Sequence, residues 1–267
     1  MDDVSGSRWG GKALPLAFAF LRIPLIVVAA ALTVAVFAAL GNPIPFPASS
    51  YSALYLLPVN IVTLLLLRAV LHRQGRRIRD VVGFDRSRLG RDILWGLLWL
   101  MVLYLPFALA VLGTMFALFG AETFTSFEAV FVPPPETTPL LPFGVSLALA
   151  ITIVVTFTPL NAPTEELVYR GFAQEGLARP SGSGRPARKR DVVLAIVIPA
   201  IGFGIQHVFF APTLPGMVVF AVAFFVWGVV GGIIFAKQRR LLPLIVAHLL
   251  VNLFTSAPAL LVPFLAR

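Results

Sequence analysis

An all-α, polytopic membrane bundle of seven to eight transmembrane helices is the fold class this 267-residue sequence predicts, and three observations predict it. Hydrophobic residues make up 58% and charged residues 12%, against roughly 45–50% and about 25% in a soluble domain. With 21 basic and 12 acidic residues, the chain cannot cover a water-facing surface of this size. Uncharged runs of about 20 residues, the length that crosses a hydrocarbon core, recur seven times. The basic residues fall only in alternate connections between those runs.

The first run is Leu21–Leu40, with Arg22 at its edge, and it exceeds the usual length of a cleaved signal segment, so it is expected to be retained. The second is Ser52–Leu71, where Arg68 is near enough to the end to snorkel. The third, Ile93–Phe119, has 27 uncharged residues, long enough to imply tilt. The fourth starts near Pro142 and stays uncharged to Thr164. Between Val192 and Ala236 lie 45 uncharged residues, enough for a fifth and a sixth helix joined at Ala211-Pro-Thr-Leu-Pro-Gly216. The seventh begins at Leu241 and carries His248 and Asn252 inward. The tail after Pro258 is too short to cross again unless it forms a degenerate or re-entrant eighth element.

Lys and Arg collect in cytoplasmic loops. Arg8, Lys12 and Arg22 precede or open helix one, and eight basic residues from Arg68 to Arg91 surround the loop after helix two. Arg170, Arg179, Arg185, Arg188, Lys189 and Arg190 follow helix four, and Lys237, Arg239 and Arg240 follow helix six. The connections 41–51, 120–142 and 211–216 have none, and Arg267 alone stands apart. A multi-pass protein of the cell membrane with a cytoplasmic N-terminus is therefore expected. The net charge of +9 reads as a topology signal toward the lipid bilayer, not as a nucleic-acid surface. The chain divides into a three-helix region, 1–142, and a helical core, 143–267, within one membrane domain. Residues 180–190 read as a flexible linker. With no cysteine, disulfides, thiolate zinc sites and cysteine nucleophiles are excluded.

Ionisable groups at membrane depth cost roughly 2.5–3.5 kcal/mol each on insertion scales and so mark function. Glu165, Glu166 and Arg170 close helix four, His207 lies late in helix five, and His248 lies in helix seven with Asn252 one turn on. Glu166 and Arg170 are an i,i+4 pair with the acid first, the favourable order. Glu165 points about 100° away, free to face a cavity as an unpaired carboxylate. Phe203 and His207 share a face, as do His248 and Asn252, whose side chains are placed to donate together to one oxygen. A competing reading makes Glu165 and Glu166 an acidic first turn, with Asn161-Ala-Pro163 breaking helix four and Thr164 capping a new one. One difficulty stands: at 1.5 Å per residue, His248 lies about 10 Å from the start of its helix, whereas His207 lies about 24 Å from Asp191.

Glu-Glu-x-x-x-Arg (165–170), Phe-x-x-x-His (203–207) and His-x-x-x-Asn (248–252), in this order on separate spans, resemble the CPBP family over roughly residues 143–256. These are the CAAX-protease and bacteriocin-processing intramembrane endopeptidases, with the type II CAAX prenyl proteases and Abi immunity-type proteins among them. The resemblance implies eight helices, a peptide or membrane-protein substrate, and Glu165 as the base that activates water, assisted by His207. It implies that His248 and Asn252 stabilise an oxyanion while Glu166, Arg170 and Phe203 support the site. No cofactor is implied. Glu165, His207 and His248 are also a zinc-hydrolase ligand set, so a zinc protease is an alternative, although there is no His-Glu-x-x-His motif. Two further classes fit buried carboxylates and histidines: a proton-coupled transporter, and a non-catalytic immunity or scaffold protein. Oligomeric state is not legible in the sequence.

Overall fold

A computed structural model describes residues 11–133, 141–179 and 188–265. Arg8, Arg185, Arg267 and most of the linker read at 180–190 lie outside the described residues. Seven helices are long and apolar enough to cross a membrane, and no strand occurs among the described residues. They are α1 (Ala13–Ala39), α2 (Ser52–Arg73), α3 (Leu89–Phe119), α4 (Phe143–Ala178), α5 (Lys189–Gln206), α6 (Leu214–Gln238) and α7 (Leu242–Ser256). After α7, the turn Ala257–Leu260 and the short helix Val262–Leu265 carry the chain on, and Phe264 packs on Phe143 at the start of α4. The tail therefore forms no eighth span among the described residues.

Lipid takes the place of water on the outside. Val28, Leu32 and Val36 of α1 and Met101, Leu105, Leu109 and Phe116 of α3 are exposed, because an apolar side chain facing hydrocarbon costs nothing while the helix satisfies its own backbone. With no hydrophobic drive between helices, close packing at small residues holds them together. On α6, Gly228 and Gly232 receive Ala200 and Ile196 of α5, and Gly204 of α5 lies against the Ala221 carbonyl of α6.

The basic half of α4 forms the axis of the bundle. Eight consecutive residues, Leu167–Gln174, are buried, which requires neighbours on every side. Here the helix winds with wider π turns, as it also does at Ile153–Phe157, a feature frequent at functional sites. Pro163 lies inside the helix, which continues through the Glu pair. Thr164 donates its hydroxyl back to the Leu160 carbonyl at 2.6 Å, a bond inside the helix rather than a cap. The reading of Glu165 and Glu166 as an acidic first turn is thus overturned, because neighbouring elements and side-chain hydroxyls stabilise a proline in a membrane helix.

The height difference between His207 and His248 is resolved by where their helices begin. Val192 and Ala195 of α5 lie beside Glu175, Ala178 and Arg239 at the basic end. Leu241, just before α7, packs instead against Gly171, about a turn earlier in α4 and so farther from the basic end. The His207 ring also folds back one turn, its Nδ1 2.6 Å from the Phe203 carbonyl, the direction in which helical side chains lean.

Helix α1 approaches α5 most closely at Gly202, where any Cβ would collide with the Ala19 carbonyl. Gly202→Ala must therefore push the two backbones apart, an overpacking cost of about 1–3 kcal/mol. We expect a lower thermal unfolding midpoint for Gly202→Ala, whereas Gly113→Ala on α3, with open space at its Cα, should leave it unchanged or raised.

Candidate active site

Five of the residues singled out from the sequence touch one another. Glu166 Oε1 accepts from Arg170 at 3.1 Å and from His248 Nδ1 at 2.9 Å. His248 Nε2 lies 3.4 Å from Glu165 Oε2. Phe203 packs under the cluster, with the Arg170 guanidinium 4.7 Å above its ring and His248 6.1 Å away. Gly231, lacking a side chain, leaves the space that the guanidinium fills. His207 stacks on Phe224 with ring centroids 3.6 Å apart and packs beside Phe203 at 4.5 Å. Asn252 is buried one turn beyond His248, and its Nδ2 has no hydrogen-bond partner among the described residues.

The largest correction concerns Glu165, which is not unpaired. Its Oε1 accepts from Arg22 at 3.0 Å and from Gln206 Nε2 at 2.9 Å. Arg22 is fully buried. The helix that holds it starts at Ala13, so Arg22 lies more than two turns inside α1 rather than at its edge. Arg22 also donates to Asn60 of α2 at 2.7 Å, to Asn161 of α4 at 3.1 Å and to Gln206 of α5 at 2.8 Å. Tyr169 donates to the same Gln206 oxygen at 3.0 Å. The sequence places Arg22 at the opening of a span among the residues that set topology, whereas it is a buried partner of Glu165; Arg170 pairs with Glu166 as its spacing predicts. The reason is electrostatic: two carboxylates cannot enter hydrocarbon uncompensated, and two guanidinium groups balance them.

The hydrogen bonds also determine the tautomers. A carbonyl only accepts, so His207 Nδ1 carries the proton donated to Phe203. A carboxylate paired with Arg170 only accepts as well, so His248 Nδ1 donates to Glu166. A ring so protonated at Nδ1 has its lone pair on Nε2 when neutral and a second donor there when charged. Glu165 Oε2, Glu166 Oε2, Arg170 Nη2 and Asn252 Nδ2 are buried and lack partners among the described residues. Such a concentration of unmet hydrogen-bonding groups in one place is what water or a polar ligand would satisfy. A groove of about 580 Å³ between α1 and α2 is lined by apolar residues such as Leu25, Leu32 and Val59 and reaches none of these atoms.

As a metal site the constellation fits poorly. No group of three His, Asp or Glu side chains among the described residues is set to hold a metal ion, and one oxygen of Glu165 is already occupied by Arg22 and Gln206.

Seven apolar helices around a buried cluster of two carboxylates and two imidazoles define a multi-pass membrane protein with a polar centre. Residues 144–254 match the family model described as type II CAAX prenyl endopeptidase, Rce1-like. That family model is part of the CPBP family of intramembrane CAAX-type endopeptidases, so the match agrees with the resemblance carried by the three motifs. No curated protein and no solved structure matches the chain.

Proposed function

We propose that the chain is an intramembrane endopeptidase that hydrolyses a peptide bond by attack of a water molecule activated by Glu165. The observation that carries the reading is the asymmetry of that carboxylate: Oε1 is held by Arg22 and Gln206, and Oε2 is left without a hydrogen bond 3.4 Å from His248. A water on Oε2 meets a general base fixed in position. His207, with its lone pair on Nε2, accepts a hydrogen bond from the second water hydrogen and aligns the oxygen. The water oxygen adds to the scissile carbonyl, one proton passes to Glu165, and the carbonyl oxygen becomes the oxyanion. Because Nδ1 of His248 is committed to Glu166, only a doubly protonated ring donates from Nε2, and the Glu166 carboxylate supports that imidazolium. Asn252 Nδ2 supplies the second oxyanion donor. Collapse of the intermediate, with the Glu165 proton delivered to the leaving nitrogen, gives two peptides. The basic loops favour a cytoplasmic N-terminus, and the proposed reaction uses no metal.

The test uses the full chain in detergent and a quenched fluorescent peptide ending in a CAAX sequence, with and without a farnesyl group. Cleavage at one bond, with oxygen from labelled water in the product carboxylate, is expected. A zinc chelator should change the rate by less than about twofold, since a catalytic metal would take with it the several kcal/mol of charge stabilisation it supplies. Loss of activity on chelation, restored by zinc, would transfer the reaction to a metal. Proton flux in liposomes with no cleavage of either peptide would refute the protease reading.

A further inference from the structure

We infer that Arg22 is a positioning residue for the reaction: it selects which oxygen of Glu165 faces the water, and it makes the site dependent on α1 and α2. The inference rests on the reading of Glu165 as the base. Arg22 lies outside the matched stretch 144–254, as does Asn60. It is nonetheless the most connected polar side chain near Glu165, with four hydrogen bonds to groups on three other helices.

Its geometry separates it from a simple charge partner. Arg22 Nε and Nη2 span Gln206 Oε1 and Glu165 Oε1, while Gln206 Nε2 turns back to the same Glu165 oxygen. A planar guanidinium with fixed donors imposes this arrangement, and an ammonium does not. Asn60 holds the Nη1 end from α2, and Asn161 shares Nη2 one turn before Glu165. With Oε1 gripped from two directions, the last torsion of Glu165 is fixed and Oε2 projects toward His248. Losing the grip frees the carboxylate to rotate, so the base is in its working orientation for only part of the time. Catalysis is sensitive to such orientation.

Charge supplies a second, independent argument. Glu166 is balanced by Arg170, so Arg22 is the only arginine paired with Glu165 among the described residues. An α4–α7 core lacking α1 would hold a buried anion with no guanidinium opposite it, only the Gln206 amide and the imidazoles. The N-terminal helices therefore complete the site instead of merely flanking it.

The experiment measures kcat and KM of the full chain in detergent on the farnesylated quenched CAAX peptide, normalised to folded protein. Arg22→Gln is expected to lower kcat by about 100-fold or more with KM changed by less than about threefold, and Arg22→Lys to recover about tenfold of that loss. Asn60→Leu, which loosens the guanidinium without touching Glu165, should lower kcat by about tenfold. Lys12→Ala, which breaks only the half-exposed α1 pair with Asp191, should keep wild-type values. If Arg22→Gln does not fold, Asn60→Leu decides. An unchanged kcat, or a change confined to KM, overturns the role of Arg22. If Glu165→Gln is inactive in the same assay, the base assignment survives that result. Should Glu165→Gln retain activity, or wild type cleave neither peptide, the reading of the base fails and this inference with it.

Discussion

Glu165→Gln should reduce kcat by about 10³- to 10⁴-fold, because it removes the proton acceptor while keeping the shape of the side chain. The same change has a structural cost: it leaves the Arg22 charge, fully buried, without its counter-ion, and breaking a buried pair in this way costs roughly 3–5 kcal/mol. Lost activity in Glu165→Gln alone therefore has two explanations. Glu165→Asp separates them. It keeps the negative charge for Arg22 and Gln206 but withdraws the oxygens by one methylene, and a misplacement of about 1 Å costs on the order of 100-fold in rate. The expected result is a folded Asp variant, with a thermal midpoint close to wild type and kcat lower by about two orders of magnitude. If Glu165→Asp unfolds as readily as Glu165→Gln, the residue is chiefly structural. If both variants stay active, the base lies elsewhere.

How far the sequence exposed this arrangement depended on how each residue announces itself. Seven apolar runs mapped onto seven helices because hydrocarbon demands about 20 apolar residues whatever the fold. The pairing of Glu166 with Arg170 followed from helix geometry alone, since four residues apart is one face. The meeting of Glu166 with His248, 82 residues away in the chain, has no local signature; the three motifs taken together suggest one shared site but not this contact. Arg22 was visible but misread. Uncharged Ala13–Phe20 precedes it, and treating that stretch as helix places the arginine inside a span, where it requires a carboxylate partner. Asn60, Asn161 and Gln206 were passed over because a neutral amide costs too little to be conspicuous in a hydrophobic run. The useful signal is their position, one polar side chain per span at the level of an ionisable one. The wide turns of α4 had no such signal, since nothing in Leu167–Gln174 distinguishes π from α winding.

Asn252→Ala is expected to have the opposite profile to changes at the ion pairs: kcat down by about 10²- to 10³-fold, the cost of one oxyanion donor, with stability nearly unchanged. The reason is that Asn252 Nδ2 donates to nothing among the described residues. A buried donor without an acceptor is a liability to the resting protein, so removing it breaks no hydrogen bond and relieves a desolvation cost of about 1–3 kcal/mol, offset by a small loss of packing. Arg170→Ala makes the contrast. Arg170 donates to Glu166 and covers Phe203, so its loss should lower the thermal midpoint sharply, and activity should fall because the imidazolium of His248 loses the support of an oriented Glu166. A residue that stabilises the fold and one that waits for a charge to appear are thus distinguished by measuring both quantities in both variants. If Asn252 were an interhelical hydrogen bond of the ordinary kind, Asn252→Ala would lose stability and activity together. If its amide is instead held ready for the oxyanion, peptide aldehydes, which form a tetrahedral adduct, should bind Asn252→Ala more weakly by the same factor as the fall in kcat/KM, whereas affinity for the uncleaved substrate should hardly change.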